Sequence, residues 1–303
     1  MSSHQDEIVP ARYPGRWLAG VICITLAFLL ILSMLGNPGY EWDVVLRYLT
    51  ASAVLRGLAW TLGLTVASMI IGVSLGIVAA LMRQSANPVL AAIAALYIWL
   101  FRGVPLMVQL IFWYNLAALY PTLSIGIPFF EPVWSVSTNS VVTPLMAALL
   151  GLGLNEGAYM AEIVRGGLLS VDPGQREAAQ SLGMSPAHTL RRIVLPQALR
   201  VIVPPTGNEI IGMLKATSLV SILSISDLLY SVQGIYGRTL QTIPLLIVAS
   251  IWYLIASSVL TFIQRLIERH YGRGHRSNQL DGLSYLARTM WQGISLPKPD
   301  KGS

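Results

Sequence analysis

Between Arg165 and Arg200 the chain reads RGGLLSVDPGQREAAQSLGMSPAHTLRRIVLPQALR, a polar interval set between two long apolar runs. Asp172 is a capping residue type followed by Pro173, which suits a first helical position, and Gln175 at the third position completes a capping box. A short helix is expected to start there. Its body, Gln175 to Leu182, consists of good helix formers, including the Ala178-Ala179 pair, and Gly183 supplies the left-handed residue that ends it. Ser185-Pro186 is a second cap-and-start signal, with a second helix expected to run to Leu195 before Pro196. The interval is therefore read as a helical hairpin with small residues on its surface, outside whatever solvates the apolar runs on either side.

Those runs define the class. The 303 residues are 54% hydrophobic and 11% charged, against ~25% charged in soluble chains, so a purely cytosolic enzyme, a disordered chain and a collagenous repeat are all disfavoured. An integral membrane protein remains. Crossing ~30 Å of hydrocarbon takes about 20 helical residues, and six spans are read near 17–35, 57–82, 88–119 (with a break expected at Arg102-Gly103-Val104-Pro105), 142–164, 201–226 and 240–264. Each run is long and continuous, without the alternation of a barrel strand, so the fold class is all-α. Cys23 is the single cysteine, which excludes an internal disulfide and any CxxC metal site.

The net charge of +6 reports topology rather than nucleic acid. With the N-terminus inside, Arg12, Arg16, Arg83, the basic residues of 165–200 and those from Arg265 onward fall on one side. Only Arg47, Arg56 and Arg238 fall on the other, and Arg102 and Lys215 lie within or near spans. By the positive-inside rule both termini are expected in the cytosol. The apolar run from Trp17 exceeds the ~7–15 residues of a signal-peptide core and lacks a small-residue cleavage site, so an uncleaved helix is expected. Glu41 to Arg56 is either a helix at headgroup level or an ordinary connector. Pro121, Pro128 and Pro132 argue against a helix in the outer loop 120–141. No internal repeat and no soluble domain are found.

Glu177-Ala178-Ala179, Gly183, Ile193, Leu195 and Pro196 resemble the EAA loop of inner-membrane permease subunits of binding-protein-dependent ABC importers. The segments GAYMAEIVRGG (157–167), GNEI (207–210) and TSLV (217–220) resemble the polar amino-acid branch of that family, as do Arg102 to Leu106 with Gln109, and Gly57, Thr61 and Leu62. The resemblance covers about residues 50–270. It implies a type I importer core of five helices over 50–270, with a cytosolic coupling loop at 168–196, plus an added N-terminal helix at 17–35. Cytosolic tails would occupy 1–16 and 271–303. It further implies a bacterial inner-membrane location, a homodimer or sister permease, separate ABC ATP-binding subunits and an extracytoplasmic amino-acid-binding protein. Arg176, Glu177, Ala178, Ala179, Gly183, Leu195 and Pro196 would couple to the ATPase. No G-x-x-x-x-G-K-[ST] loop occurs in the sequence, so ATP and Mg belong to the partner subunit, and this chain is expected to be no enzyme and to bind no cofactor itself. Alternatives are a permease for a related polar solute such as an opine, or an ion-coupled secondary transporter, the latter disfavoured by the missing repeats.

An ionisable side chain at mid-helix costs about 2.5–3.5 kcal/mol on insertion scales, which singles out Glu156, Glu209 and Lys215. Glu156, Gln109, Asn115, Asn208 and Glu209 are the candidate lining of a substrate route. For Glu156 two readings stay open: a contact to substrate, or a packing hydrogen bond through a protonated or paired carboxylate. Glu209 also fits a structural or gate contact. Glu162 and Arg165 are three apart on one helical face and suit a structural pair. Pro204-Pro205 is expected to distort the start of the fifth span. His4, His188, His270 and His275 show no metal-ligand spacing. The basic C-terminal residues can meet anionic lipid.

Overall fold

The protein is described by a computed structural model covering residues 14–125 and 132–271. In chain order the elements are α1 (Pro14–Gly36), a 3-10 turn (Pro38–Tyr40), α2 (Trp42–Leu49), α3 (Ser52–Arg83), α4 (Pro88–Gly103), α5 (Leu106–Tyr114), α6 (Leu116–Leu119), β1 (Thr122–Ile125), β2 (Trp134–Ser137), α7 (Thr138–Val141), α8 (Pro144–Leu169), α9 (Pro173–Ser181) and α10 (Pro186–Thr189). They continue with a π-helical turn (Leu190–Val194), α11 (Leu195–Ala216), a 3-10 segment (Thr217–Leu223), α12 (Leu228–Thr239) and α13 (Thr242–Tyr271). The terminal tails expected at 1–16 and 271–303 lie almost wholly outside the described residues. One compact unit spans Glu41–Arg273. Taken by itself, α1 carries no charge from Trp17 onward and none of its described residues is buried, which is how a lipid-solvated helix looks.

The unit is built around α8. Its start is fixed by Thr143, whose Oγ1 accepts from Met146 N at 3.3 Å, with Pro144 at the first helical position. α3 is its most extensive neighbour, followed by α11, α5 and α4. Two small-residue rows make that possible. Gly72 and Gly76 of α3 face Glu156 and Met160, and a Cβ at Gly76 would stand 2.5 Å from the Met160 Cβ. Gly153 of α8 lies against Ile71, and Gly157 against Leu75 and Tyr97. Glycines four apart on both partners let helices approach closely in a bilayer, where packing replaces the hydrophobic effect. Leu64, Leu110, Leu152, Val220 and Leu223 fill one core beside this crossing. A second core, containing Val45, Val54, Leu228, Val232, Leu245 and Val248, joins α2, α3, α12 and α13.

Among the described residues three helices, from Trp17, Ser52 and Thr242, are long and apolar enough to cross a membrane singly, and two bent pairs raise the number to five. The 26 residues of α8 reach ~39 Å at 1.5 Å per residue, but its glycines and polar side chains keep it out of that set. Being packed against protein rather than lipid, it does not need an apolar surface.

The structure bears out one sequence expectation, decides another and changes the rest. The third span does break at Gly103, and the break is a bend of 102° between α4 and α5. The outer loop carries an antiparallel β1–β2 pair, with Thr122 opposite Ser137 and Ile125 opposite Trp134, so the chain is not purely helical, and it also holds the one-turn helix α7, which starts six residues beyond Pro132, where no proline stops it. Glu41 is followed by a true helix, α2, whose Val44 and Val45 are buried. The second hairpin helix does not stop before Pro196. Leu195 N bonds Leu190 O, one residue further back than in an α-helix, and this wide turn carries the chain past Pro196, which has no N–H and would crowd the Arg192 carbonyl in a regular helix. For the same reason Pro204 and Pro205 lie inside α11 rather than at its start. A helix can keep interior prolines in a bilayer when it is packed among neighbours rather than exposed to lipid, and α11 packs against α8 and α13.

Candidate functional site

The polar hairpin folds by its own local chemistry. Asp172 Oδ1 accepts from Gly174 N at 2.7 Å, one residue earlier than the capping box required, and Gln175 N is bonded to the Asp172 carbonyl. At the far end Gly183 has φ 73°. Its N–H goes to Gln180 O, and Met184 N goes to Ala179 O, the paired bonds of a Schellman stop. Ser185 Oγ then accepts from His188 N at 3.4 Å. Arg176 ties the hairpin to the membrane helix, donating from Nη2 to Leu168 O at 3.1 Å and so satisfying a carbonyl in the last turn of α8. Glu177, Ala178, Gly183, Leu195 and Pro196 are exposed, and Leu182 is 82% exposed. Ala179 is buried: its small side chain serves packing within the chain rather than the outer face.

A second polar group gathers where α4, α5 and α8 meet. Glu156 is 4% exposed, with its side chain against Gly72 and Oε1 without a hydrogen-bond partner. Gln109 is 5% exposed, and its Nε2 donates to Phe101 O and Val104 O, each at 2.9 Å. Gln109 therefore spans the α4–α5 bend. Asn155 Nδ2 donates to the same Phe101 O at 2.8 Å. Tyr97 OH donates to Leu154 O at 2.7 Å, and the Arg102 guanidinium sits 5.1 Å from the centre of the Tyr159 ring. Glu209, partly buried on α11, lies within electrostatic reach of Glu156 and Arg102. Glu162 and Arg165 form the expected pair, at 2.6 Å.

The other expected residues stand apart. Asn115 is exposed at the end of α5 and bonds Ile111 O, while exposed Asn208 accepts from Gln264 of α13 at 3.1 Å. Lys215 is exposed. Asp227 escaped the sequence reading, which sought ionisable residues only within apolar runs. It is fully buried, caps α12 through Tyr230 N and Leu229 N, and accepts from Tyr253 OH at 3.4 Å. Its position just before an apolar helix was the available signal. Among the described residues no group of His, Cys, Asp and Glu is arranged to hold a metal.

Residues 72–273, which hold the hairpin, the bend and the buried acids, match the family of the binding-protein-dependent transport system inner membrane component. The chain belongs to this family. The arginine transport system permease protein ArgU of Corynebacterium glutamicum is 44% identical over 276 residues, covering 88% of this chain and 84% of its own. The L-cystine transport system permease protein TcyB of Bacillus subtilis is 36% identical, covering 72% and 86%. The crystal structure of an amino acid ABC transporter with histidines superposes with a TM-score of 0.61 at 36% identity, over 72% of this chain and 94% of that one. The permease thus has the type I ABC importer fold. Family membership implies ATP-binding subunits and a substrate-binding protein, and a membrane subunit with no catalytic site of its own. An ion-coupled transporter is not favoured by these matches.

Proposed function

We propose that the permease carries amino acids with a cationic side chain inward across the cytoplasmic membrane. It would work by alternating access, with ATP and Mg held on separate subunits that seat on the α9–α10 hairpin, and with a second permease copy or a sister subunit completing the route. An extracytoplasmic binding protein would deliver the cargo, and six spans would leave both termini in the cytosol. The observation that carries the coupling role is the exposed, doubly capped hairpin: Glu177 and Ala178 face outward, while Arg176 fastens the same helix to the end of α8. A force on α9 would reach α8 through that bond, and α8 carries Glu156. The cationic cargo is supported by two buried or half-buried acids on α8 and α11, Glu156 and Glu209, and by the 44% identity to an arginine permease.

The test is Glu177→Lys in the complex reconstituted with its ATPase and binding protein. Uptake of L-arginine is expected to fall about tenfold or more, the equivalent of ~1.4 kcal/mol, while the amount of permease in the membrane stays unchanged. Uptake equal to wild type would remove the hairpin from the coupling path, and preference for a neutral amino acid in the parent complex would remove the cationic cargo.

A further inference from the structure

The bend between α4 and α5 leaves one carbonyl in need of a donor. In a continuing helix Phe101 O would accept from the N–H four residues on, but that residue is Pro105, which has none. At membrane depth an unsatisfied carbonyl is costly. Two side-chain amides supply it, Gln109 Nε2 at 2.9 Å and Asn155 Nδ2 at 2.8 Å. Their consequences differ. The Gln109 bonds are internal to the elbow, joining α5 to Phe101 and Val104 at the end of α4, so they fix its angle wherever it goes. The Asn155 bond joins the elbow to another element, α8. Two more contacts join α4 to α8 within a few residues of it, Tyr97 OH to Leu154 O and Arg102 over Tyr159. Tyr97 and Phe101, one turn apart, also pack ring to ring at 5.0 Å. All three cross-helix contacts fall at 154, 155 and 159, bracketing Glu156.

We infer that Asn155 is a positioning residue, holding a preformed α4–α5 elbow onto α8 so that the wall carrying Glu156 is set for cargo. The inference rests on the cargo reading of Glu156 given above. Because Gln109 still donates to Phe101 O when Asn155 is lost, a purely structural role for Asn155 leaves no orphan carbonyl behind and predicts little change. A positioning role predicts that the elbow comes away from α8.

The experiment uses the full complex in a Cys23→Ser background, with spin labels on cysteines at exposed Leu96 of α4 and Met146 of α8, and compares Asn155→Leu with the parent. The distance distribution is expected to broaden, and the concentration of loaded binding protein giving half-maximal uptake to rise about three- to thirtyfold, the span expected for one interhelical hydrogen bond in a membrane, with the maximal rate nearly kept. An unchanged distribution overturns the inference, whether uptake is lost or not, and so does a broadened distribution with wild-type half-saturation. If Asn155→Leu is not recovered from the membrane, Tyr97→Phe removes one hydroxyl from the same interface and is held to the same outcomes. The distance measurement needs no cargo, so a wrong cargo assignment shows as missing L-arginine uptake in the parent, separately from the behaviour of the elbow.

Discussion

Glu156 is placed by packing as much as by chemistry. Its Cβ and Cγ lie where a side chain at Gly72 would be, so the absence of a Cβ on α3 is what admits a glutamate on α8. Gly72→Ala is therefore expected to displace Glu156 and to cost about 1–3 kcal/mol as an overpacking change, visible as a lower unfolding temperature of the purified complex together with reduced uptake. Glu156→Gln keeps the volume and removes the charge. It is expected to lower uptake of L-arginine about tenfold, on the scale of ~1.4 kcal/mol, while leaving the unfolding temperature within a degree or two of the parent. An unaltered preference between basic and neutral amino acids in competition uptake would assign Glu156 to packing alone. Sequence could single out this acid, because an ionisable residue in an apolar run is conspicuous. It could not single out Gly72 as its partner, since that pairing depends on how α3 crosses α8.

At the scale of elements, what could be read in advance was what is local. Asp172, Gly183 and Ser185 each act within a few residues of themselves, and the hairpin begins, turns and restarts where they stand. Pro196 and Pro204-Pro205 misled because a proline's effect depends on the backbone around it: a π turn absorbs the first, and α11 runs through the others. The 102° bend lies at an expected break, but its angle depends on the Gln109 amide and its seat on α8 depends on the Asn155 amide, donors that only the folded chain brings to Phe101 O. The hairpin's dependence on one left-handed residue gives a sharp prediction. At φ 73° an alanine at Gly183 costs about 1–2 kcal/mol, and the Schellman bonds to Ala179 and Gln180 go with it. Gly183→Ala should speed amide exchange across 173–189 by roughly five- to thirtyfold at that cost, with exchange in α3 and α8 unchanged, and should reduce ATP-driven uptake. Unaltered exchange in that segment would mean that the turn is held by something other than its own glycine.

Across the whole molecule, polarity is arranged by depth and by neighbour. The most central helix, α8, is the one whose composition looks least like a membrane span, because α3, α4, α5 and α11 surround it; hydropathy measures what lipid touches, and this helix meets little of it. Orientation is expected to follow the basic residues, each one near the surface of an anionic leaflet contributing about 1 kcal/mol, so the five arginines from Arg165 to Arg200 outweigh Arg47, Arg56 and Arg238 on the opposite side. Two exposed leucines turn this into a measurement. Leu182 projects from the α9–α10 hairpin at 82% exposure, and Leu240, at 87%, sits in the turn between α12 and α13. With Cys23 replaced by serine, Leu240→Cys should react with a membrane-impermeant maleimide added to intact cells, in which the outer envelope is first made passable to the reagent. Leu182→Cys should react only once the inner membrane is opened. Labelling of both from the same side would break the alternation of spans between them, and the reversed pattern would place the α9–α10 hairpin away from any cytosolic ATPase, removing the coupling role proposed for it.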